Sequence, residues 1–389
     1  MGTILVFTGK GGVGKTSVAA AHAVISAAEG KKTLLVSTDM AHNLGDLFEL
    51  TLGSEIAVLD NGLHVLEINP HDVMENDFKD MKHAVLRMVA ENGMGGEQLE
   101  QISVFPGMDE LFSLLKILAL HQSGLYDRII VDCAPTGETL ALLKFPELLS
   151  WYMEKLFPIG KAALRILAPI SKTVFKVQLP DRQAMTDIER LYATLLELQT
   201  LLKDPATTAI RLVTIPEKMV VEETKRSFMY LNLYGFNVDC LYINRILPPD
   251  LDNSYFEEWI TIQTRYTQEL ENLFAGRPIR RIPWFDSDLN GVGGIGRLTA
   301  ILAESGPLFE LQPPSVGEHY EKTDTGYALI LDLPFAAKGD IRFNESATDL
   351  ILKIGNFKRS IPKPSTLRSY LVSSAKLSNG RLTVRFEPK

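Results

Sequence analysis

The stretch that decides the fold is Gly9-Lys10-Gly11-Gly12-Val13-Gly14-Lys15-Thr16. Its spacing satisfies the pattern G-x-x-x-x-G-K-[ST], in which glycines let several backbone N–H groups turn toward a phosphate. A short apolar run, Thr3–Thr8, precedes it, and an alanine-rich helical segment, Ser17–Ala28, follows it. Strand, glycine loop and helix form the setting in which a helix N-terminus meets phosphate, so we expect a nucleoside triphosphate here. That context disfavours the alternative, a glycine-rich turn without a ligand.

The residue types of this loop predict a nucleoside triphosphate and Mg²⁺ as its ligands. Lys15 would reach the β- and γ-phosphates, and the Thr16 hydroxyl would hold Mg²⁺. The expected nucleotide contacts run through the loop and one residue beyond it: Gly9, Lys10, Gly11, Gly12, Val13, Gly14, Lys15, Thr16 and Ser17.

Composition places the chain among ordinary globular proteins. Its 389 residues exceed the usual size of one domain, so two units are expected. The net charge is −8, and the first 313 residues carry −12 of charge against +4 in the remainder, which argues against general nucleic-acid binding. No apolar run approaches the ~20 residues of a membrane span, and no basic signal-peptide region opens the chain. We expect a cytoplasmic protein without stable membrane insertion.

The two cysteines, Cys133 and Cys240, stand at no metal-ligand spacing. Within one chain they exclude a four-cysteine zinc or iron–sulfur site, and they give no disulfide framework.

Apolar runs that alternate with helical segments predict a mainly parallel sheet flanked by helices. One run, Thr33–Thr38, ends at Asp39, and another, Arg128–Val131, ends at Asp132. Two further strands are expected at Arg211–Ile215 and Asp239–Asn244. Ligands of such sheets lie at the carboxyl ends of the strands. There Asp132 could organise Mg²⁺ through its water shell, and Asp39 could orient the attacking water, although an aspartate at a strand end can also be a turn or helix cap.

Two long stretches of helical period, about 72–123 and 146–202, predict a helical subdomain beside the sheet. Met74, Met81 and Met88 recur every seven residues, and several leucines follow on a later helix: Leu111, Leu114, Leu115 and Leu118. Methionine adapts to irregular partners, so a hydrophobic client groove is conceivable. Core packing is favoured over the groove, because eleven methionines in this chain are no enrichment.

A proline-rich joint, Gln312-Pro313-Pro314, separates a first domain of residues 1–312 from a small all-β domain of residues 316–389. Beyond the joint, apolar residues alternate with polar ones as in half-buried strands. The alternating residues are Tyr327, Leu329, Leu331 and Leu333, then Leu350, Leu352 and Ile354, then Leu382, Val384 and Phe386. Asn379-Gly380 predicts a hairpin turn before the last strand.

Two longer motifs carry a resemblance to a known family. Asp39-Met40-Ala41-His42-Asn43-Leu44-Gly45-Asp46 resembles the first switch of the ArsA family of arsenite-pump and tail-anchored-protein-targeting ATPases, and Asp132–Leu140 resembles the second. Pro106–Glu110 is similar to another family segment, and Asn244-Arg245 stands where the family reads adenine. The tail resembles an α-crystallin (small heat-shock) domain at Ala375–Leu382, which implies a bacterial or plastid branch of this P-loop NTPase family.

The resemblance implies a homodimeric ATPase in which Lys10 crosses to the nucleotide of the partner. It gives Asp39 the water-positioning role and Asp132 a water-mediated role at Mg²⁺, and it places Asn244 and Pro283 at the adenine. Hydrolysis would open and close a site for a hydrophobic client segment or an apolar small ligand, as in chaperones and targeting factors. A cytosolic or plastid-stromal location would follow.

The sequence also departs from the family pattern. Met40, Gly45 and Glu138 replace the usual proline, serine and histidine, which bears on the coupling between nucleotide and client rather than on phosphate chemistry. An arsenite-pump subunit needs a cluster of thiolates that two cysteines do not supply. A nucleotide-gated positioning scaffold is a third alternative, and it predicts ATP-dependent binding to DNA or lipid.

Overall fold

The structure is a computed structural model that describes residues 2–39, 43–53, 55–59, 62–76, 108–133, 182–251, 253–314, 319–333, 341–346, 349–355 and 357–388. These residues belong to two compact units. The first comprises Met1–Leu5, Thr16–Leu202 and Leu289–Thr299, and the second comprises Val6–Lys15, Lys203–Asp288 and Ala300–Lys389.

The large sheet contains eight strands. Their bounds are β1 Thr3–Thr8, β2 Thr33–Ser37, β3 Ala57–Val58, β4 Leu63–Glu67, β5 Arg128–Asp132, β6 Thr208–Thr214, β7 Val238–Ile246 and β8 Ile279–Pro283. The strand order is β3-β4-β2-β5-β1-β6-β7-β8. Strand β2 pairs in parallel with β4 and β5, and β7 pairs in parallel with β6 and β8, whereas the short edge strand β3 pairs antiparallel with β4. The predicted mainly parallel α/β sheet is confirmed.

Eight helices accompany these strands in the described residues. They are α1 Lys15–Ala28, α2 Asn43–Phe48, α3 Pro70–Asn76, α4 Met108–Gln122, α5 Arg182–Lys203, α6 Lys218–Leu233, α7 Ser254–Leu273 and α8 Gly291–Glu304. None of them is long and apolar enough to cross a membrane.

The first unit has a core of aliphatic side chains around β2 and β5. Every residue of β2 is buried, as its uninterrupted apolar pattern predicts for a strand covered on both faces. The four leucines that the sequence singles out on α4 are buried as well, namely Leu111, Leu114, Leu115 and Leu118. These residues are core, and so is Met74 on α3. Met81, Met88 and the larger part of both predicted helical stretches, residues 77–107 and 146–181, lie outside the described residues.

The second unit is built on β6, β7 and β8. A buried ion pair lies within it, because Arg211 Nε donates to Asp239 Oδ1 at 3.2 Å and Arg211 Nη1 donates to the Tyr242 hydroxyl at 3.3 Å. These contacts offset the free-energy cost of placing the Arg211 and Asp239 charges in a buried environment of low dielectric constant.

The C-terminal part of the second unit is all β, as predicted. A four-stranded antiparallel sheet has the order β14-β15-β10-β9, and a three-stranded one has the order β11-β12-β13. The strands are β9 His319–Thr323, β10 Gly326–Asp332, β11 Ile341–Glu345, β12 Asp349–Ile354, β13 Phe357–Pro362, β14 Tyr370–Ser378 and β15 Arg381–Pro388. Leu382, Val384 and Phe386 are buried while Arg381 and Arg385 are exposed, so the alternation predicts the buried face correctly. Asn379 and Gly380 have φ of +50° and +70°, the conformation that a two-residue hairpin turn requires.

Candidate nucleotide site

The phosphate loop packs closely against the Val213 backbone and the Asn244 side chain within the second unit. Gly9 has φ of +152° and Gly14 has φ of +94°. A Cβ on Gly9 would lie 2.1 Å from the carbonyl oxygen of Val213, and one on Gly14 would lie 2.3 Å from Asn244 Nδ2. Both distances are far below a van der Waals contact, so no other residue fits at these two positions without moving its neighbours.

The two lysines of the loop have different surroundings. Lys15 is only 6% exposed, and its Nζ donates to the carbonyl oxygen of Lys10 at 3.3 Å. The side chain of Lys10 is 37% exposed, and its Nζ lies 3.9 Å from Glu223 Oε2 on α6. Lys15 is thus folded against its own loop, whereas Lys10 projects from it.

Asn244 contacts the loop directly. Its Nδ2 donates to the carbonyl oxygen of Val13 at 2.8 Å, and its Oδ1 accepts from the backbone N–H of Arg245 at 2.9 Å. Arg245 has φ of +56°, a conformation that non-glycine residues adopt uncommonly. Pro283 pairs with Ile246 across β7 and β8, so both residues predicted at the adenine lie near neighbouring strand ends. Their contact with adenine stays a prediction.

The two predicted aspartates lie at the carboxyl ends of paired strands of the first unit, with Asp132 as the last residue of β5 and Asp39 just after β2. Ser37 and Asp132 are register partners, and Thr38 donates its N–H to the carbonyl oxygen of Asp132 at 3.0 Å. Asp39 comes two residues after Ser37 and donates its N–H to the Ser37 hydroxyl at 3.2 Å. Asp132 is 1% exposed, with both carboxylate oxygens buried. The structure therefore places both aspartates at the carboxyl edge of β2 and β5, and their catalytic roles stay predictions.

Glu67 is a residue of this edge that the sequence analysis missed. It ends β4, is 5% exposed, and its Oε1 accepts from the backbone N–H groups of Leu44 at 2.9 Å and Gly45 at 3.0 Å. These amides belong to the first turn of α2, so the carboxylate satisfies donors that the helix itself leaves open. A signal existed, because Glu67 follows an apolar run as Asp39 and Asp132 do.

The remaining site predictions divide between described and undescribed residues. Thr16 and Ser17 lie in the first turn of α1 and are half-buried, and Gly11 and Gly12 are exposed. Met40, His42 and the second-switch residues 134–140, including Glu138, lie outside the described residues.

The oxygen donors among these residues fit Mg²⁺. The Thr16 hydroxyl and the carboxylates of Asp39 and Asp132 are hard ligands of the kind that Mg²⁺ takes in small number, while it keeps several waters. The sulfur donors of the chain are different. Cys133 and Cys240 are buried free thiols, and burial raises the pKa of Cys240 to about 11, which keeps it protonated near neutral pH.

Comparison with known proteins identifies the family. A profile described as anion-transporting ATPase matches residues 2–304, and one described as an HSP20-like domain found in ArsA matches residues 324–386. A putative arsenical pump-driving ATPase of Prosthecochloris vibrioformis is 36% identical over 94% of this chain and 91% of its own length. A protein of the same name from Chlorobaculum tepidum is 34% identical over 99% of this chain and 96% of its own length.

A eukaryotic relative is similar over the first part of the chain. The ATPase GET3 of Pyricularia oryzae is 29% identical over 76% of this chain and 89% of its own length. The family profile covers the phosphate loop and both carboxylate-bearing strands, and the chain therefore belongs to the anion-transporting (ArsA) ATPase family and is a nucleotide-binding ATPase.

Proposed function

We propose that the chain hydrolyses ATP as a homodimer in which Lys10 of each protomer acts on the nucleotide bound by the other. The domains would be residues 1–312, which hydrolyse ATP, and residues 316–389, which contribute to client handling. The observation that carries the proposal is the contrast between Lys15, folded against its own loop, and the half-exposed Lys10.

Each residue of the proposed site has a distinct task. The backbone N–H groups of Gly9–Thr16 would cradle the phosphates, and Lys15 would neutralise the β- and γ-phosphate oxygens. Asp39 would orient the attacking water, which it does by accepting a hydrogen bond from it. Asn244 and Pro283 would contact the adenine.

Thr16, directly, and Asp39 and Asp132, through water, would hold Mg²⁺. The bound ion supplies electrostatic stabilisation of the charge that develops on the phosphate oxygens. Asp132 suits a water-mediated role, since its buried carboxylate lies at the end of β5, an internal strand of the sheet.

Lys10 would act as an arginine finger does in other nucleotide hydrolases, by placing positive charge against the transferred phosphate. Its present partner, Glu223, is 40% exposed at a separation of 3.9 Å, and such an exposed pair contributes at most about 1 kcal/mol. Lys10 can therefore exchange this partner for a phosphate at small cost.

Mixing two inactive variants tests the action of Lys10 across the dimer. We expect Lys10→Ala and Asp39→Asn each to bind ATP and to lose nearly all hydrolysis. In a mixed dimer, one site would combine the intact Asp39 of one protomer with the intact Lys10 of the other. Random mixing in equal amounts should restore about a quarter of the wild-type turnover, because half of the dimers are mixed and each holds one complete site.

The matched control is a mixture of Lys10→Ala with a second Lys10→Ala preparation, which should remain inactive. If the Lys10→Ala and Asp39→Asn mixture stays inactive while light scattering shows mixed dimers, Lys10 acts within its own protomer. Normal turnover of Asp39→Asn alone would remove the water-positioning role.

We further propose that hydrolysis opens and closes a site for a hydrophobic client or an apolar small ligand. The HSP20-like match and the likeness to proteins named GET3 support this proposal. The test is the affinity for a fluorescent 20-residue alanine–leucine helix. We expect its dissociation constant to differ at least about tenfold, or about 1.4 kcal/mol in binding free energy, between the ADP state and the ATP-trapped Asp39→Asn variant. Equal affinity in both states would separate hydrolysis from client binding.

An arsenite-driven activity is the second candidate, because two relatives are named arsenical pump-driving ATPases. Arsenite needs thiolate ligands, and the buried Cys240 thiol with its raised pKa supplies them poorly. We therefore expect ATP turnover that is unchanged by arsenite, and a marked stimulation would favour the pump over the client-binding role.

A further inference from the structure

The C-terminal β domain is docked on the end of helix α6, within the second unit. The Tyr234 hydroxyl, just past that helix, donates to the carbonyl oxygen of Lys358 at 2.7 Å. Arg359 donates to the carbonyl oxygen of Leu233 and lies over the Tyr234 ring. Asn237 Nδ2 donates to the carbonyl oxygen of Gln312 at 2.9 Å in the proline-rich joint. These contacts involve buried side chains and hold the two parts together.

A cleft of about 570 Å³ opens beside this docking contact. One wall comes from the ends of α6 and α7 and from the segment that follows α7, with Asn232, Leu273, Ala275 and Arg277. The other wall comes from Asp332 at the end of β10 and from the hairpin Ser378–Arg381. The volume lies within the range of ~300–1,000 Å³ that is typical of small-molecule sites, which occur preferentially between domains.

Arg277 is a cation of this cleft whose hydrogen bond to the protein comes from Nε. Its Nε donates to the carbonyl oxygen of Val238 at 2.8 Å, and its guanidinium lies 4.9 Å from the Phe228 ring centre. Among the described residues, neither terminal nitrogen of Arg277 donates a hydrogen bond to protein. Burial lowers the pKa of Arg277, and Asp332 and Asp239 offset that effect only in part, so a further negative charge would stabilise this cation.

The second cation is more loosely held. Arg381 is half exposed, and its Nε lies 3.4 Å from Asp332 Oδ1, which is a long single contact rather than a bidentate pair. The residues that line the cleft thus include two guanidinium groups and one carboxylate, that of Asp332, which leaves one positive charge without a matching carboxylate among them.

We propose that this cleft binds a small molecule through an oxyanion, a phosphate or a carboxylate, with the half-buried Arg277 as the anchor and Arg381 as the second donor. A guanidinium group presents paired N–H donors that match both kinds of oxyanion. The site is separate from the phosphate loop, and the inference does not depend on the dimer.

Equilibrium dialysis of the full chain tests the proposal. A non-hydrolysable ATP analogue with Mg²⁺ first fills the phosphate loop, and radiolabelled inorganic phosphate or succinate is then added at constant ionic strength. We expect one of the two anions to bind with one equivalent per chain. Arg381→Gln should weaken that binding at least about tenfold, since a hydrogen bond to a charged group contributes ~1.5–3 kcal/mol. Phosphate binding assigns a phosphorylated ligand, and succinate binding assigns a carboxylate ligand.

Two variants make the result specific to the cleft. Arg342→Gln removes an exposed arginine of the same β domain away from the cleft and should leave the affinity unchanged. Asp332→Asn removes the competing carboxylate and should strengthen binding several-fold. Binding of neither anion would overturn the proposal, and so would an equal loss in Arg342→Gln and Arg381→Gln. Because Arg381 is half exposed, its variant should keep the thermal unfolding profile of the parent protein.

Discussion

The phosphate loop and helix α2 are held in opposite ways. The loop is clamped by excluded volume, because the Val213 backbone and the Asn244 side chain occupy the space where side chains on Gly9 and Gly14 would lie. Helix α2 is held at its first turn by one carboxylate oxygen of Glu67, which accepts from two backbone amides. Close packing permits one arrangement of the loop, whereas a contact made of two hydrogen bonds can break and form again. The first suits a fixed cradle, and the second suits a segment that responds to the nucleotide.

The same difference separates the two lysines of the loop. Lys15 is buried against the carbonyl of Lys10, and Lys10 meets Glu223 at 3.9 Å across a half-exposed surface. The loop thus carries one buried lysine and one half-exposed lysine. Variants that add volume to the loop or remove the Glu67 carboxylate that holds α2 should therefore fail in different ways, the first in ATP binding and the second in turnover.

Gly14→Ala should produce the largest effect. A Cβ would lie 2.3 Å from Asn244 Nδ2 at a residue with φ of +94°, so the loop or Asn244 must move. We expect the dissociation constant for ATP to rise at least about 100-fold, from strain of ~1–3 kcal/mol and the added clash. Isothermal titration calorimetry would measure it.

Gly124→Ala is the matched control. Gly124 also has a positive φ, of +65°, but a Cβ there meets nothing within 4 Å. It should cost stability and leave ATP affinity unchanged. A Gly14→Ala protein that binds ATP normally would contradict the volume clamp.

Glu67→Ala should come next, with an effect on turnover rather than on binding. Two hydrogen bonds to a buried carboxylate are lost, and we expect kcat to fall about 10- to 100-fold with ATP affinity within about threefold of the wild type. Glu67→Gln keeps an oxygen acceptor for both amides and should restore most of kcat. Hydrogen exchange of the Leu44 and Gly45 amides should accelerate in the alanine variant alone.

Glu29→Ala, which removes an exposed carboxylate of the same unit, should have little effect on turnover. Loss of kcat that is as deep in Glu67→Gln as in Glu67→Ala would show that the negative charge matters rather than the acceptor. Glu67 would then not be a positioning residue of α2.

The sequence predicts the phosphate loop and its flanking strands much better than it predicts the contact between Glu67 and α2. The loop, the strands that flank it and the buried face of β15 depend on spacing and alternation within a few residues, which a sequence displays directly. Arg128–Asp132 and Thr33–Ser37 form strands where the apolar runs predict them. Strand β4 was not predicted, and Glu67 was missed with it.

The missed contacts share a long separation along the chain. Glu67 acts 22 and 23 residues from its partners, and Asn244 acts 231 residues from Val13. The docking of the β domain on α6 spans more than 120 residues. Such pairs follow from the strand order of the sheet and from domain packing, which no local period encodes. Resemblance to a family supplied Asn244 as a candidate, but not its contact with the loop.

Asn244→Ala should have a moderate effect and decide what Asn244 does. Loss of its hydrogen bond to Val13, about 1 kcal/mol, should weaken binding roughly fivefold. If Asn244 acts by anchoring the loop, ATP and pyrophosphate should lose affinity equally, since pyrophosphate has no base. A loss confined to ATP would instead assign Asn244 to the adenine, as the family resemblance implies.

Gly45→Ser should have the smallest effect, and it tests how tightly α2 is closed. A Cβ on Gly45 would lie 2.9 Å from the carbonyl oxygen of Leu50, because the chain turns back after the helix. The N–H of Leu50 donates to the carbonyl oxygen of Gly45, and the N–H of Glu49 donates to the carbonyl oxygen of Asp46. Glu49 has φ of +57°, so this end of α2 has the geometry of a Schellman C-terminal motif.

Two opposing contributions determine the size of that effect. Serine has a higher helix propensity than glycine by a few tenths of a kcal/mol, whereas overpacking typically costs ~1–3 kcal/mol. We therefore expect a net loss of about 1 kcal/mol in the free energy of unfolding, measured by urea denaturation. Gly293→Ser in α8, where a Cβ meets nothing within 4 Å, should lose nothing. Equal stability of both variants would mean that Leu50 moves away without cost. The position of α2 would then be fixed by the contact of Glu67 with its first turn and not by close packing at its C-terminal end.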